Sequence, residues 1–301
     1  VQGNVLDAFD DLSGWTVFAS GEAALAISPD AGPGGTAMRL DFDFHGGGGF
    51  VGVRRLLPLK LPETYLFHFN IRGKAPSNIF EFKLADASNQ NVWRYRVEAF
   101  DVPQAWQPVS IRNSQIEFAW GPLGGGPARS TAAIELVIAA GPGGTGTVWI
   151  DQLWLEDLTY RSIPVAQASS ELPDHEPQNA LDMSTTGSWR SAAHDAPQWL
   201  LIDFQQEREY GGLVIDWEQG FQARQFDVQV SADGAVWSTA YATSQGEAAR
   251  SYIYLPQTMS RYIKLNFNRS IEGQGFGIQG IEVKSFDFSR SINHFFQNIA
   301  R

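Results

Sequence analysis

The stretch YLFHFNIRG, Tyr65 to Gly73, sets Phe67, Phe69 and Ile71 on one side of an extended chain and His68, Asn70 and Arg72 on the other. A period of two belongs to a strand with one face turned to a core. NIFEFKLAD, Asn78 to Asp86, repeats it, opposing Phe80, Phe82 and Leu84 to Glu81 and Lys83. VWRYRVE, Val92 to Glu98, does so again, with Trp93, Tyr95 and Val97 against Arg94, Arg96 and Glu98. Three such strands predict antiparallel sheet packed on one side and solvated on the other.

Outward from these strands, the alternation runs from Leu6 to Leu158 and breaks at glycine clusters: HGGGGF (45 to 50), GPLGGGP (121 to 127) and GPGGTG (141 to 146). Such breaks between short strands indicate an antiparallel sandwich. EDLTYRSIPVAQASSELPDHEP, from Glu156, loses the alternation, which places a domain boundary near Thr159 to Pro164. A second set of strands follows: QWLLIDF, GGLVIDW, FDVQVSADGAVW with its Asp-Gly turn, SYIYLP, RYIKLNF and GIQGIEV. The tail SRSINHFFQNIAR carries Ile292, Phe295, Phe296 and Ile299 at helical spacing, with Ser289 or Ser291 available as N-cap. The expected architecture is all-β: two β-sandwich (jelly-roll) domains in tandem, over 1–160 and 161–288, and a short C-terminal helix over 289–301. The helix's apolar stripe needs a partner, either the second domain or a further domain into which the chain continues; the second reading is favoured.

A chain of 301 residues suits two domains, each with its own core. Its formal charge of −11 disfavours nucleic acid and anionic membrane as partners. The absence of cysteine excludes disulfides, thiolate metal sites and cysteine nucleophiles. No apolar run reaches the length of a membrane span. The five histidines show no HxxxH or HxH spacing, no GxSxG turn occurs, and the glycine clusters lack the lysine of a phosphate loop. What the chain offers is aromatic and polar side chains on sheet faces and loop tips. Sugars pack their C–H faces on aromatic rings and exchange hydrogen bonds with Arg, Asp, Glu, Asn, Gln and His, so such surfaces suit carbohydrate.

The series NALDMSTTGSW, PQWLLIDF, GGLVIDWE, FDVQVSADGAVWS, SRYIKLNF and GIQGIEV, in that order, resembles the discoidin or coagulation factor five/eight C-type fold, which includes the family 32 carbohydrate-binding modules. The first domain, opening with LDAFDDLSGW and closing with VWIDQLWL, is similar to jelly-roll carbohydrate-binding modules of families 4 and 11. The resemblances imply tandem non-catalytic modules that bind a polysaccharide or oligosaccharide. They imply a larger secreted or periplasmic bacterial protein, with a covalently linked catalytic domain after Arg301.

In the discoidin resemblance sugar is held by loops at one end of the sandwich. This implicates Glu218 and Arg224, with His194 adding a hydrogen bond and Phe276 a stacking face; Trp189, Trp199 and Trp217 are expected in the core. In the jelly roll, His68, Asn70, Arg72, Glu81, Lys83, Arg94 and Arg96 form the candidate groove, with a plain solvated face as the alternative. Its basic character would suit an acidic or heavily hydroxylated glycan. The resemblance also implies a structural calcium tying first strand to last, through Asp10 and Asp151 and with Asp7 as a further candidate. In the second domain Asp182 matches the first calcium ligand of discoidin modules, but Gly187 and Gly280 replace two others, so the loop is expected to keep its turn without the ion. Two other functions compete: an adhesion or protein-interaction module, and a polysaccharide lyase using His68 with an adjacent arginine.

Overall fold

The computed structural model describes residues 3–182, 184, 187–192 and 196–301. The chain forms two compact units that divide between Thr159 and Tyr160. Tyr160 goes with the second because its ring meets Phe204 at 5.9 Å and Arg208 lies over it at 4.6 Å.

The first unit is a sandwich of two antiparallel sheets. Its strands are β1 (Gly3–Asp7), β2 (Trp15–Ala19), β3 (Ala24–Gly32), β4 (Gly35–Asp43), β5 (Phe50–Lys60), β6 (Tyr65–Lys74), β7 (Asn78–Ala85), β8 (Val92–Phe100), β9 (Gln107–Arg112), β10 (Glu117–Trp120), β11 (Ser130–Ala139) and β12 (Thr145–Asp157). One sheet runs β3-β4-β12-β6-β9, with β1 added to β12; the other runs β10-β8-β7-β11-β5-β2. The alternation explains the packing. Phe67 and Phe69 of β6 meet Phe82 of β7 at 4.9 and 6.2 Å between ring centroids, across the interior. Each ring buried there contributes about 1.5–3 kcal/mol.

Consecutive strands β6 and β7 therefore lie in different sheets, facing each other through the core. This decides the fate of the polar faces. His68, Asn70 and Arg72 look outward from one sheet, whereas Glu81, Lys83, Arg94 and Arg96 look outward from the other. The seven residues expected in one groove occupy opposite sides of the sandwich.

The second unit comprises β13 (Val165–Ala168), β14 (Trp189–Arg190), β15 (Gln198–Trp217), β16 (Ala223–Ser231), β17 (Ser238–Thr243), β18 (Arg250–Ser270), β19 (Gly277–Lys284) and the helix α1 (Ile292–Ile299). Here both layers come from one seven-stranded sheet, ordered β14-β19-β15-β18-β16-β17 with β13 on β15. The long strands β15 and β18 make this possible. Their pairing shifts register between Asp203 and Arg208 and between Tyr210 and Gly212, so one half of each strand serves each layer. Leu200, Ile202, Phe204, Leu213, Ile215 and Trp217 fill the core, as the alternation of QWLLIDF and GGLVIDW requires, together with Trp189, Phe226 and Phe267 from other strands. Trp199 does not join them; it is half-buried, with the Lys264 ammonium 5.2 Å from its ring.

Helix α1 starts at Ser291, whose Oγ accepts from His294 N at 3.1 Å. It packs on the second unit, which runs to Arg301. Phe295 is fully buried beside Tyr254 and Phe288, and a Cβ at Gly212 would stand 2.6 Å from its ring. The segment 289–301 is thus part of this fold, rather than a linker beyond it, because the centre of its apolar stripe is already covered. Ile292 and Phe296 stay 54% and 46% exposed. No helix among the described residues is long and apolar enough to cross a membrane.

Candidate functional site

The outer face of the sheet containing β7 and β8 holds the densest charge cluster. Glu81 is only 3% exposed and accepts from three cations: Lys83 Nζ at 2.8 Å, Arg94 Nη1 at 2.9 Å and Arg96 Nη1 at 2.6 Å. Register explains the convergence, since Glu81 pairs with Arg96 and Lys83 with Arg94 across adjacent strands. Burial alone would raise the Glu81 carboxyl, but hydrogen bonds from Lys83 and Arg96 and the surrounding positive charge hold it below the usual carboxylate range. Arg96 also binds Glu98, with Nε donating to Oε1 at 2.6 Å. One strand pair further, Arg54 donates to Glu135 at 2.9 Å and Asn89 at 2.7 Å.

Aromatic rings flank these cations. Trp120, 48% exposed, lies 5.4 Å from Lys83 and 5.9 Å from Arg94; Phe50 lies 5.9 Å from Lys83. Trp120 has the same parity in sequence as Phe118, which packs on the core. A register shift between the two turns Trp120 outward. The signal was a tryptophan bordering a glycine loop, and strict alternation concealed it.

The opposite outer face carries His68, Asn70 and Arg72 beside β12. His68 is engaged at both ring nitrogens, by Glu156 Oε2 and Ser110 Oγ, each at 2.9 Å. Asn70 Nδ2 donates to Gln152 Oε1 at 3.0 Å. A cavity of about 180 Å³ is lined by His68, Phe69, Asn70, Pro108, Gln152 and Trp154. The Arg72 guanidinium sits 4.6 Å from the Trp149 ring and 5.0 Å from that of Trp106. These three tryptophans were not read from the sequence as site residues, although Trp149 and Trp154 stand in VWIDQLWL.

Asp10 and Asp151 approach one turn, the hairpin at Gly32 to Gly35. Asp151 Oδ2 accepts from Gly34 N at 2.8 Å, and Asp10 Oδ1 lies 3.9 Å from where a Gly35 Cβ would be. A bulge puts Asp151 there. Val148 and Ile150 face the core before it, Leu153 and Leu155 after it, and Gln152 takes a left-handed φ of 56°. Asp151 is fully buried, and its Oδ1 has no hydrogen-bond partner in the protein. A buried carboxylate oxygen without a donor fits a cation. Asp7 is otherwise committed: it accepts from Phe9 N and Trp15 Nε1, both at 2.7 Å, and pairs with Arg55. Among the described residues no three His, Asp or Glu side chains converge as a metal cluster, so further ligands at Asp151 would be backbone or solvent oxygens.

In the second unit, Glu218 is the centre of a loop-end cluster. Arg190 closes on it in bidentate fashion, with Nε donating to Oε2 at 2.6 Å, and Ser188 Oγ donates at 2.9 Å. His175 Nδ1 meets Ser188 Oγ at 3.0 Å, and the Arg190 guanidinium lies 4.5 Å from the Phe221 ring. Burial raises the Glu218 carboxyl, and the hydrogen bonds from Arg190 and Ser188 override it, leaving a lowered pKa. Arg190 and Ser188 were missed because only the fold brings them to Glu218; Phe221 lies in the same turn, its N–H donating to the Glu218 carbonyl, and gave no separate signal. Arg224 stands apart, paired with Glu247.

Phe276 requires a correction. It is buried and stacks on Phe267 at 5.3 Å, so it cannot present a face to a ligand; its glycine neighbours made a core ring look like a loop tip. His194, Thr185 and Thr186 lie outside the described residues. Asp182 accepts from Ser184 N at 3.0 Å and Ser184 Oγ at 2.5 Å, an Asx turn, and Glu282 is engaged by Lys284.

Residues 165–279 match the F5/8 type C domain. No curated protein matches the chain. Several solved structures are similar in part. Chitosan-binding module 1 of a chitosanase/glucanase from Paenibacillus sp. IK-5 is 25% identical, covering 41% of this chain and 96% of that one, with a TM-score of 0.39. The family 11 carbohydrate-binding module from Clostridium thermocellum, in complex with a β-1,3-1,4-mixed-linked tetrasaccharide, is 17% identical over 52% of this chain and 95% of that one, with a TM-score of 0.44. A family 32 module from C. perfringens, in complex with galactose, is 16% identical over 40% and 92%, with a TM-score of 0.37.

Proposed function

We propose that this protein is a non-catalytic carbohydrate-binding protein whose first unit engages a polysaccharide across the outer face of β8, β7 and β11. The observation that carries the reading is Trp120, half exposed beside Lys83 and Arg94, with both cations fixed by the buried Glu81. An indole offers an apolar plane to the C–H face of a pyranose. Cations already held in place bind hydroxyl or carboxylate oxygens at little further cost in side-chain entropy. The face gathers four cations, Arg54, Lys83, Arg94 and Arg96, against three carboxylates in a chain of net charge −11, so an acidic or heavily hydroxylated glycan is its natural ligand.

The loop-end cluster around Glu218 supports a second contribution, since it lies within the residues that match the F5/8 type C domain. It combines a carboxylate, a guanidinium, a hydroxyl and an aromatic ring, the donors, acceptors and plane that a sugar uses. Two binding units in one chain suit delivery of a linked glycoside-active domain to its substrate, outside the cytoplasm, in a secreted or periplasmic setting. Asp151, with Asp10, holds a structural calcium in this reading; the ion would brace the turn at Gly34 and take no part in binding sugar.

Affinity electrophoresis against a panel of soluble neutral and acidic polysaccharides, with pull-down on insoluble ones, tests the function. Retention without turnover is expected, and weakening by Trp120→Ala locates it. A panel without any retention overturns the proposal.

A further inference from the structure

The residues displaced to the other side of the first unit form a surface of their own. Along β6 and β12, Arg72 stands opposite Trp149, Asn70 opposite Asp151 and His68 opposite Trp154. Arg72 lies four residue steps along the strand from His68, a span of about 13 Å. The bulge at Asp151 brings Gln152 onto Asn70 and sets Trp154 beside the cavity of about 180 Å³.

Arg72 is the unusual member. Its guanidinium lies between two indoles and makes no hydrogen bond or ion pair to any described residue. Nε is closed off and unpartnered, whereas the terminal nitrogens reach solvent. Its neighbours differ: Arg39, 5.5 Å from the same Trp149 ring, is paired with Asp41 at 2.8 Å. Cation–π attraction to two indoles, Trp149 on β12 and Trp106 just before β9, holds the guanidinium in place without using its N–H donors. The carboxylate that senses its charge, Asp30, is taken up by Trp149 Nε1 at 2.8 Å and by the Ala31 N–H, so the Arg72 N–H groups are left to donate to an acceptor from outside the described residues.

We propose that this face is a second glycan site, separate from the Trp120 surface. One sugar ring lies in the cavity against Trp154, with Asn70 and Gln152 on its hydroxyls and His68, held by Glu156 and Ser110, as a wall of the cavity, and the chain extends along the strands to place an oxygen acceptor on the Arg72 guanidinium. That acceptor is either a uronate carboxylate or a neutral hydroxyl; both present oxygen to the guanidinium. The proposal rests on the reading of the protein as a carbohydrate binder, and its site is independent of the one assigned above.

The test compares the full chain with Arg72→Ala, Arg72→Lys, Trp154→Ala and Trp120→Ala by affinity electrophoresis and isothermal titration. Polygalacturonate and a mixed-linkage β-glucan serve as the acidic and neutral probes. Circular dichroism and the melting temperature confirm that each variant folds. Arg72→Ala and Trp154→Ala are expected to weaken binding at least fivefold, and to do so again in a Trp120→Ala background. Arg72→Lys should recover only part, because an ammonium lacks the planar edge. Loss confined to polygalacturonate assigns the acceptor as carboxylate, and loss on both probes assigns it as hydroxyl. If the wild type binds a glycan and folded Arg72→Ala and Trp154→Ala bind it equally well, this site is overturned and the Trp120 surface stands. If the wild type retains no glycan of the wider panel, both readings fall.

Discussion

Arg96 Nη1 reaches Glu81 Oε1 at 2.6 Å from the neighbouring strand, and Arg94 reaches the same oxygen at 2.9 Å. One nearly inaccessible carboxylate thus anchors three cations on an outer sheet face and offsets the charge of only one of them. Glu81→Gln should lower stability by about 2–3 kcal/mol in urea unfolding, below the cost of breaking a fully buried pair because the arginines are a third exposed. It should also loosen Lys83 and Arg94, and so reduce glycan affinity. A variant as stable as the parent would show that the cations do not depend on Glu81.

Trp120→Ala should separate binding from folding. The side chain is half exposed and outside the main core, so unfolding should shift by less than about 1 kcal/mol. Affinity for a retained polysaccharide should fall about tenfold or more in titration calorimetry. Equal affinity in a folded variant removes this face from the reading.

Calcium should act through Asp151. Millimolar calcium, compared with chelator, is expected to raise the melting temperature by about 5 °C, and Asp151→Asn should abolish the difference. A melting temperature indifferent to both, with no calcium by metal analysis, rules the ion out.

Acid should loosen the loop before β8. The Asn91 side-chain amide holds the Asp86 carboxyl down to about 2, aided against burial by Ser88 and by the N–H groups of Asn91 and Gln90. The folded value lies below the ordinary 3.8, so this contribution is fully present above about pH 4 and is lost as pH falls toward 2. Asn91 Oδ1 also accepts from Leu123 N at 2.8 Å, which links the loop to the segment after Trp120. Proton titration by NMR should place Asp86 near 2, and amide exchange at Leu123 should rise over the same range. An Asp86 that titrates near 4 contradicts this network.

Phe295→Ala should destabilise the second unit by about 3–5 kcal/mol, the usual cost of emptying a buried aromatic site. Gly212→Ala should approach it, because the added methyl meets the Phe295 ring at 2.6 Å and the Ile253 carbonyl at 2.9 Å. Both are read by thermal unfolding; wild-type stability in either would mean that the helix is only loosely placed.

Alternation in YLFHFNIRG and NIFEFKLAD revealed which side of each strand meets the core, because burial acts on each residue directly. It did not reveal which sheet a strand joins. That depends on the turn between Lys74 and Asn78, and it divided the anticipated groove. The bulges at Phe118 to Trp120 and at Asp151 were also hidden, since one extra residue reverses the parity of everything after it. The position of Glu218 at a loop end was legible from its place after IDW. Its partner Arg190 was not, for it lies 28 residues away and is brought there only by the fold.

The two long strands of the second unit have a mechanical consequence. Twenty residues of β15 and twenty-one of β18 run through both layers, so neither layer can detach while the other keeps its register. Slow amide exchange should therefore extend along both strands from end to end at one common opening free energy, without a weaker layer that lets go first.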